Sequence, residues 1–386
     1  MIGIWFFVEM FFLPWLILGA FIARFATKKI DVGIGPEPIL SHPYHQAALK
    51  IYGFSSETFV QEVYDIFDDF DIRFDKKYSG KLGQLVRPFA IYFHVIFRYK
   101  ILYFYFTGGP LAKCKAFLWK LEPYLLHWAR VKMVVMPYGG DVQEVTRNKN
   151  LLYKHGLAQD YPSLKLRRKL IERKIDLWTI NADHIIGGLD WVDYMYHWDT
   201  LMISHFGINT EYWKRNEENL VPKDGTIRIL HAPNHRNLKG TEYIIRAVDN
   251  LKKEGYPVEL ILRERVKNSE IKHSLENINI VVDQLVIGWY AMFAMEAMAL
   301  GIPVVCYLRE DLTELFESQN LLNKEDLPIV NAQWFNIEDK LRYLISNPEK
   351  LQTIGQKSRD YVEKYHSLEV LGKQLALVNS KVLQVA

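Results

Sequence analysis

Apolar runs of strand length, several of which end in glycine turns, place the strongest limit on the fold of this 386-residue chain. Helical patterns separate the runs, and buried parallel strands have this near-continuous apolar character. The strand candidates are residues 30–34, 101–106, 132–136, 184–186, 226–231, 258–262, 278–282 and 304–307. The helix candidates include residues 42–52, 240–254, 336–346 and 357–377. The alternation predicts an α/β fold of parallel sheets covered on both faces.

A polar stretch at residues 216–223 has no apolar periodicity and divides the strand candidates into two series. We interpret it as an interdomain linker before a second domain, since the chain is long enough for two domains of ordinary size. The prediction is a Rossmann-like domain at 27–215, a second at 216–365, and a C-terminal helix at 366–386 that crosses back to the first. Ligands of such sheets bind beyond the carboxyl ends of the strands, so the two domains are expected to face a cleft.

Composition excludes several classes of protein. The 48 Lys and Arg nearly balance the 45 Asp and Glu, so the concentrated positive field of a nucleic-acid-binding protein is not expected. Cys114 and Cys306 are the only cysteines, which allows neither a disulfide framework nor a cysteine metal site. The cysteine count favours a reducing compartment. Neither a metal nor a cofactor is predicted for this chain.

The N-terminal residues 1–23 are almost entirely apolar and aromatic, interrupted by Glu9 and Pro14. Their length suffices to cross a bilayer, and the basic residues Arg24, Lys28 and Lys29 that follow favour a cytoplasmic location for the rest of the chain. A helix that lies in the membrane interface or packs on the protein is the alternative. Residues 1–26 are therefore predicted to be a membrane anchor or an embedded helix, with membrane lipids as partners.

The segment from Gly288 to Val305 carries most of the functional information. Gly288 permits close backbone approach, and a helix predicted at residues 290–300 would direct its first N–H groups at a ligand above the turn, as anion sites do. Glu296 lies in the middle of this otherwise uncharged helix, where an unpaired carboxylate is costly to bury. The ribose hydroxyls of a nucleotide would satisfy it.

Together with Lys239-Gly240 after the first strand of the second series, the motif Glu296-Ala-Met-Ala-Leu-Gly-Ile-Pro-Val-Val resembles the GT-B glycosyltransferases of family 4 (group 1). The resemblance covers most of the chain after residue 28 and implies an acceptor domain followed by a nucleotide-sugar domain. By this resemblance Glu296 binds the donor ribose, and the glycine turn with the helix N-terminus holds the diphosphate. A basic pair neutralises the phosphates. The implied residues are Gly288, Trp289, Tyr290 and Gly240 around the diphosphate, with Lys239 and either Arg236 or His235 as the cations.

The chain departs from the family at one position. A second glutamate is usual eight residues before Glu296, and Gly288 stands there. Asp283 is a candidate to replace it, or a strand-end residue that faces water. In the first domain, Gly139-Gly140-Asp141 resembles the loop that approaches the reacting sugar. Asp141 is interpreted either as a contact to a sugar hydroxyl or a proton-transfer group, or as a helix cap.

Weaker candidates have structural explanations. Asp69 and Asp71 have the spacing of a metal-binding pair, but they lie in an acidic run with Asp65 that indicates a solvated face. Arg263 and Arg265 follow a strand and are either phosphate contacts or surface residues. His197 and His205 lack metal-ligand spacing. The remaining candidate is a basic amphipathic helix, typical of anionic lipid binding or of an ordinary solvated surface, formed by Lys165, Arg167, Arg168, Lys169, Arg173 and Lys174.

The sequence therefore predicts a membrane-associated glycosyltransferase. It would move a sugar from a nucleoside-diphosphate donor to a hydroxyl of a lipid-linked or polysaccharide acceptor, and the resemblance implies a retaining, metal-independent reaction. Two alternatives stay open: a sugar-nucleotide epimerase on the same scaffold, and a catalytically silent, membrane-anchored protein that binds nucleotide-sugars.

Overall fold

The computed structural model describes residues 2–63, 68–214, 224–264 and 268–384. The chain forms two compact units, which divide it at other residues than the predicted domain ranges. The first unit comprises Met1–Glu144, Arg167–Leu201 and Leu371–Ala386, and the second comprises Val145–Leu166 and Met202–Val370. The predicted linker 216–223, together with Asp65 and Arg265, lies outside the described residues.

A seven-stranded sheet forms the centre of the first unit, with the order β3-β2-β1-β4-β5-β6-β7. Its strands are β1 (Ile30–Ile34), β2 (Ser56–Val60), β3 (Ile72–Arg73), β4 (Tyr99–Tyr105), β5 (Lys132–Met136), β6 (His184–Gly188) and β7 (Thr200–Met202). The pairs from β3 through β6 are parallel. The strand order reverses between β1 and β4, which makes that edge a topological switch point.

Seven helices precede the second sheet along the described chain. They are α1 (Ile2–Ala23), α2 (His42–Ile51), α3 (Phe74–Lys77), α4 (Gly80–Arg98), α5 (Leu118–Trp128), α6 (Leu151–Asp160) and α7 (Pro162–Asn181). A short 3₁₀ helix follows β6 at Leu189–Asp193. Helix α6 belongs to the second unit, although it comes from the first half of the sequence.

The second unit is built on a five-stranded parallel sheet of order β12-β11-β10-β8-β9. The strands are β8 (Ile227–His231), β9 (Val258–Leu262), β10 (Ile280–Val282), β11 (Val304–Cys306) and β12 (Val330–Asn331). Strand β8 lies between β10 and β9, so the switch point of this sheet is at β8 and β10. Apolar side chains from the sheet and its helices form a buried core that includes Ile229, Ile280 and Leu341.

The remaining helices surround the second sheet or follow it. They are α8 (Arg236–Lys239), α9 (Thr241–Lys253), α10 (Asn268–Ser274), α11 (Met292–Ala299), α12 (Glu310–Ser318), α13 (Ile337–Ser346), α14 (Glu349–His366) and α15 (Leu368–Gln384). A short 3₁₀ helix lies at Lys324–Asp326. Within the first unit α15 is held to the sheet by a hydrogen bond of 2.7 Å from Tyr103 Oη to Asn379 Oδ1.

The predicted α/β class with two parallel-sheet domains is confirmed. The helix predicted at residues 290–300 is shorter in the structure: α11 begins at Met292, because Ala291 is extended and serves as its N-cap. Strand β2, which lies next to the edge strand β3, was not predicted from the sequence. Its first three residues, Ser56-Glu57-Thr58, are polar, and only its last two are apolar.

The N-terminal helix α1 is long and apolar enough to cross a membrane, a test that a buried core helix or a signal sequence also passes. In the structure it packs against α4 and α5. The ring of Phe12 stacks on Phe89 of α4 at 3.9 Å, and the side chains of Leu16 and Ala20 are buried. One side of α1 is therefore part of the first unit.

Candidate functional site

The candidate site lies in the second unit, in the loops at the carboxyl ends of β8 and β10. Lys239 is the last residue of α8. Gly240, with φ of +74°, ends α8 and precedes the first residue of α9. The Lys239 Nζ atom lies 2.6 Å from Asp283 Oδ1, directly after β10. Lys239, the cation predicted to bind phosphate, therefore lies at the switch point of the sheet and is paired with the Asp283 carboxylate.

Asp283 is buried, so the interpretation that it faces water is wrong. Its side chain is fully covered, and its second oxygen, Oδ2, has no hydrogen-bond partner among the described residues. A buried carboxylate oxygen without a hydrogen bond destabilises the protein, and a ligand hydroxyl that donates a hydrogen bond to it would recover that free energy.

Glu296 lies on α11 with 3% of its surface exposed. Among the described residues none is hydrogen-bonded to its carboxyl group. Burial, and secondly the negative charge of Asp283, raise the pKa of Glu296 to about 8. The site therefore contains a buried carboxyl group without a hydrogen-bond partner among the described residues, which ligand hydroxyls can supply.

The glycine turn between β10 and α11 is organised by Gln284, which the sequence analysis missed. Its Oε1 accepts hydrogen bonds from the N–H groups of Val286, Ile287 and Gly288, at 3.0, 2.6 and 3.3 Å. Its Nε2 donates to the carbonyl of Trp289 at 2.9 Å. The N–H of Gly288 is therefore already engaged, which leaves the first turn of α11 as the anion-binding backbone.

Glycine is required at position 288 for two reasons. Its φ is +102°, and a Cβ atom there would come within 2.6 Å of Cγ and Cδ of Arg309. Arg309 is almost fully buried and is held by Asp311, with Nε to Oδ1 at 3.0 Å and Nη2 to Oδ2 at 2.6 Å. The Arg309 side chain thus occupies the space that a side chain at position 288 would need.

The side chains of Trp289 and Tyr290 are buried within the second unit. Trp289 packs on Phe316 at 4.9 Å, and the Tyr290 hydroxyl lies 2.6 Å from Tyr361 Oη and 2.8 Å from His366 Nε2. The Tyr290 hydroxyl is therefore engaged within the unit, whereas Trp289 Nε1 has no hydrogen-bond partner among the described residues. The diphosphate contact of these two residues stays a prediction.

The other predicted cations, His235 and Arg236, lie at the start of α8. Arg236 pairs with Glu242 at 2.9 Å and with Glu264 at 3.5 Å. The ring of His235 contacts Tyr161 at 4.3 Å, and burial lowers the pKa of His235. Both side chains are close to the switch point, and Arg236 is the more exposed of them.

Helix α6 packs on this loop region within the second unit. Asp160 accepts hydrogen bonds from Asn237 Nδ2 at 2.6 Å and from the Leu238 N–H at 3.3 Å. At the other end of α6, Asn150 Nδ2 donates to the carbonyl of Val286 at 2.6 Å. A cavity of about 190 Å³ lies between α6 and α8, and Gly240 is part of its lining.

A larger, open cavity of about 580 Å³ lies at the carboxyl end of β11. Its volume falls within the range of small-molecule sites. Lys149 and Asn150 contribute to one side, and Tyr307, Arg309 and Asp311 to the other. Its lining also includes Glu310 and Glu314, so both basic and acidic side chains face this cavity.

In the first unit, Asp141 holds the loop after β5 together. Its Oδ1 accepts hydrogen bonds from the N–H groups of Tyr138 and Gly139, both at 2.9 Å, and its Oδ2 accepts one from Phe106 at 3.1 Å. Burial raises the pKa of Asp141 to about 7, against the effect of these donors. Gly140 has only the ring of Tyr138 near its Cβ position, at 3.8 Å. These contacts assign Asp141 a role in the loop's structure, and its role in catalysis stays a prediction.

Comparisons with known proteins agree with this architecture. Residues 263–376 match the family model described as glycosyl transferase-like. The chain carries a glycosyltransferase domain on a GT-B fold. No curated protein sequence is significantly similar to it.

Solved structures resemble this glycosyltransferase at low sequence identity. Sucrose-phosphate synthase from Thermosynechococcus elongatus has a TM-score of 0.59 at 13% identity, over 93% of this chain and 100% of that chain. HepE from Anabaena, in complex with UDP-glucose, has a TM-score of 0.54 at 11% identity, over 91% and 100%. A glycosyltransferase from Rickettsia africae has a TM-score of 0.52 at 12% identity, over 93% and 100%. The resemblance to group 1 GT-B glycosyltransferases is confirmed, and assignment to family 4 stays a prediction.

His42 is a residue of the glycosyltransferase's first unit that sequence reasoning missed. It is fully buried beside the switch point of β1 and β4, and its ring stacks on Tyr105 at 5.6 Å. Both ring nitrogens lack a hydrogen-bond partner among the described residues. Burial holds the pKa of His42 well below its usual value. The sequence signal was its position at the start of the helix after the first glycine turn.

The weaker sequence candidates have mostly structural contacts. Asp71 Oδ2 accepts hydrogen bonds from Gln46 at 2.7 Å and from the Thr58 N–H at 2.8 Å. No cluster of three potential metal ligands occurs within the described part of the chain. Arg263 is exposed, and His197 lies 3.2 Å from Asp199. His205 is buried beside Phe206.

The basic helix α7 is amphipathic. Leu164 and Ile171 are buried, whereas Leu166 and Leu170 are 90% and 41% exposed. Lys174 is drawn inward and donates to the carbonyl of Thr107 at 2.5 Å, and burial lowers its pKa. Exposed leucines next to basic residues are compatible with lipid binding, which stays a prediction for this helix.

Proposed function

We propose that this glycosyltransferase transfers a sugar from a nucleoside-diphosphate donor to a hydroxyl of a lipid-linked or polysaccharide acceptor, by a retaining, metal-independent reaction. The carboxyl group of Glu296 is the observation that carries the donor assignment. It is buried, lacks a hydrogen-bond partner among the described residues and stands at the switch point beside the Lys239–Asp283 pair. Ribose hydroxyls are donors that would satisfy it. HepE, which shares the fold, has been solved with UDP-glucose, and this makes UDP-glucose the first donor to test.

The predicted chemistry depends on stabilising the diphosphate as it leaves. Negative charge develops on it in the transition state, and fixed positive groups and helix N-termini lower the energy of that charge. Lys239, held at 2.6 Å by Asp283, is a pre-positioned cation, and Arg236 is the second. The start of α11, where Ala291 provides no side-chain cap, supplies N–H groups.

The position of Gly288 affects how the donor sugar is held. A glutamate there would require the Arg309 side chain to move and would have to adopt a positive φ. The sugar contact that the family makes from this position is therefore proposed to come from other groups. The buried oxygen of Asp283 and the Arg309 guanidinium are the candidates on the same loops.

The decisive experiment compares donor binding by the wild type and by Glu296→Gln. Calorimetric titration with UDP-glucose and with other nucleotide-sugars is expected to show binding that the substitution weakens by about tenfold or more, because hydrogen bonds to a carboxylate are stronger than those to an amide. Glu276→Gln is the matched control, as Glu276 is an exposed glutamate of the same unit.

Equal donor affinity of all three proteins would contradict the site. Turnover is then tested with acceptors extracted from membranes. Transfer of labelled sugar to the extract supports the proposal, whereas conversion of the donor to an isomeric sugar without acceptor would indicate an epimerase. Donor binding without any turnover would indicate a binding protein.

Membrane association, with the catalytic domains in the cytoplasm, is also proposed. The apolar helix α1 and the exposed leucines of α7 support it. Flotation of the protein with vesicles that contain anionic lipid is the expected result, and a protein that stays in the aqueous fraction would contradict it.

A further inference from the structure

Helix α1 presents a continuous apolar stripe on the side that faces away from the first unit. The stripe consists of side chains at helical spacing that are between 48% and 74% exposed: Ile4, Phe7, Phe11, Trp15, Leu18 and Ile22. At a rise of about 1.5 Å per residue, the 22-residue helix is about 33 Å long. An exposed apolar band of this length exceeds what a monomeric soluble surface normally carries.

The opposite side of α1 is fixed to the protein by a charged contact. The carboxylate of Glu9 has no exposed surface, and its oxygens accept hydrogen bonds from the N–H groups of Ala116, Phe117 and Leu118 at 2.7, 2.7 and 2.8 Å. These donors lie at the start of α5, whose N-cap residue supplies no side-chain bond. Glu9 therefore satisfies the N-terminus of another helix and matches its positive dipole end.

Other contacts extend along most of the helix. Phe6 meets Phe117 of α5 at 5.8 Å, and further along Tyr92 Oη of α4 donates to the Leu16 carbonyl at 3.3 Å. Gly19 leaves room for the ring of Phe93, which would come within 2.4 Å of a Cβ atom. A helix that crosses a bilayer must pass through about 30 Å of hydrocarbon. Crossing would force α1 either to carry α4 and α5 into the lipid or to lose these contacts.

The surroundings of the stripe are basic and aromatic. Arg24 and Lys29 are exposed just beyond the helix, and Lys115 Nζ lies 5.9 Å from the ring centre of Trp5. Trp128 of α5, which packs on α1, is 53% exposed. Tryptophan and lysine are the residues that favour the level of the lipid headgroups, and positive charge favours an anionic surface.

We propose that α1 lies in the plane of a single leaflet of an anionic bilayer, with the stripe toward the acyl chains and Glu9 toward the protein, and that it does not span the membrane. This inference deepens the proposed membrane association and rests on it. Helices of this kind bury their apolar face a short way below the headgroups. The occupant is the lipid surface, and a second copy of the chain is the outcome that would refute it.

The first test measures flotation of the full chain with vesicles of phosphatidylcholine mixed with phosphatidylglycerol. Phe11→Glu is expected to lower the bound fraction by about tenfold or more, because a charge in the stripe is costly in lipid. Phe335→Glu is the matched control, since Phe335 is 62% exposed in the second unit. Equal melting temperatures of the three proteins would show that the variants fold.

The second test determines on which side of the membrane each end of α1 lies. Gly3→Cys marks an exposed position in the first turn of α1 and Thr27→Cys one shortly after its last residue, and the native Cys114 and Cys306 are buried. In cells that express the full chain, a membrane-impermeant maleimide is expected to label both positions in inverted membrane vesicles and neither in intact spheroplasts. Labelling of Gly3→Cys in spheroplasts would show that the helix spans.

Two further outcomes would overturn the inference. One is flotation that Phe11→Glu leaves unchanged. The other is a lipid-free dimer in sedimentation velocity that Phe11→Glu converts to a monomer, which would identify a second copy as the occupant. These assays measure lipid contact and the position of α1, and none of them measures sugar transfer, so their outcome is independent of the proposed glycosyl transfer.

Discussion

Replacing Glu296 with glutamine is expected to remove a large pH dependence from the stability of the unliganded protein. In the folded state the pKa of Glu296 is raised from 4.5 to about 8, mainly by burial. The unfolded carboxyl group ionises near pH 4.5. The stability that this group contributes is therefore fully present below about pH 4.5 and is lost as the pH rises through about 8.

The size of the effect follows from the shift. Each pH unit of difference corresponds to about 1.4 kcal/mol, so the shift sets an upper limit of about 5 kcal/mol. Local rearrangement around an ionised carboxylate relieves part of this cost, and we expect a loss of about 2–5 kcal/mol across this pH range. For a unit of this size that is about 5–15 °C in melting temperature.

The assay compares melting temperatures of the wild type and Glu296→Gln between about pH 5 and about pH 8. Glutamine resembles the neutral acid in shape and does not ionise, so the variant is expected to be the more stable protein at the alkaline end. The difference between the two proteins isolates Glu296, because the other buried carboxyl groups with raised pKa values, Glu122 and Asp141, are present in both.

Parallel melting curves across this range would refute the reasoning. They would mean that the Glu296 carboxyl group ionises at its ordinary pH, and that a partner or water compensates its charge in the absence of a ligand. A donor whose hydroxyls pair with the carboxylate should stabilise the ionised form. Donor affinity of the wild type is therefore expected to rise between about pH 6 and about pH 8, while that of Glu296→Gln stays constant.

Three further substitutions test the surrounding structure. Gly288→Ala is expected to lower the free energy of unfolding by about 1–3 kcal/mol, because the residue has a positive φ and its Cβ would meet Arg309 at 2.6 Å. In the control Gly140→Ala the nearest atom to the new Cβ is 3.8 Å away, so thermal unfolding should show a smaller loss. Asp141→Ala is expected to leave three backbone N–H groups without their acceptor and to lower the free energy of unfolding by about 1–3 kcal/mol. Hydrogen exchange at these amides should become faster, and unchanged exchange would contradict a structural role of Asp141 in the loop. Glu9→Ala removes the acceptor at the start of α5, and denaturant unfolding is expected to show a free energy of unfolding lower by about 1–3 kcal/mol. Unchanged stability would mean that this contact does not hold α1 in place.

Local patterns allowed a large part of the fold to be predicted. Strands β1, β5, β8 and β9 were predicted within a residue of their ends or better, because buried parallel strands leave long apolar runs and glycine turns mark where they stop. Glu296 was identified for a similar reason, as a single carboxylate in an uncharged helix. Both signals are contained in short stretches of sequence.

Contacts between distant residues were beyond such patterns. Lys239 and Asp283 are 44 residues apart, and their pairing depends on which strands neighbour each other at the switch point. Gln284 had no visible role, since a polar residue after a strand is common and its three acceptor contacts exist only once the turn has closed over it.

The N-terminal helix shows the same division. Its apolar length was plain in the sequence and predicted a membrane helix, whereas the choice between spanning and lying flat depended on what Glu9 meets. That partner is more than 100 residues away, at the start of α5. The sequence alone determined which segments are apolar, where turns occur and which carboxylate is out of place, because these depend on neighbouring residues. Only the tertiary structure decided which charges are paired, which glycine is constrained and which face of α1 stays uncovered, because those properties arise when remote segments pack together.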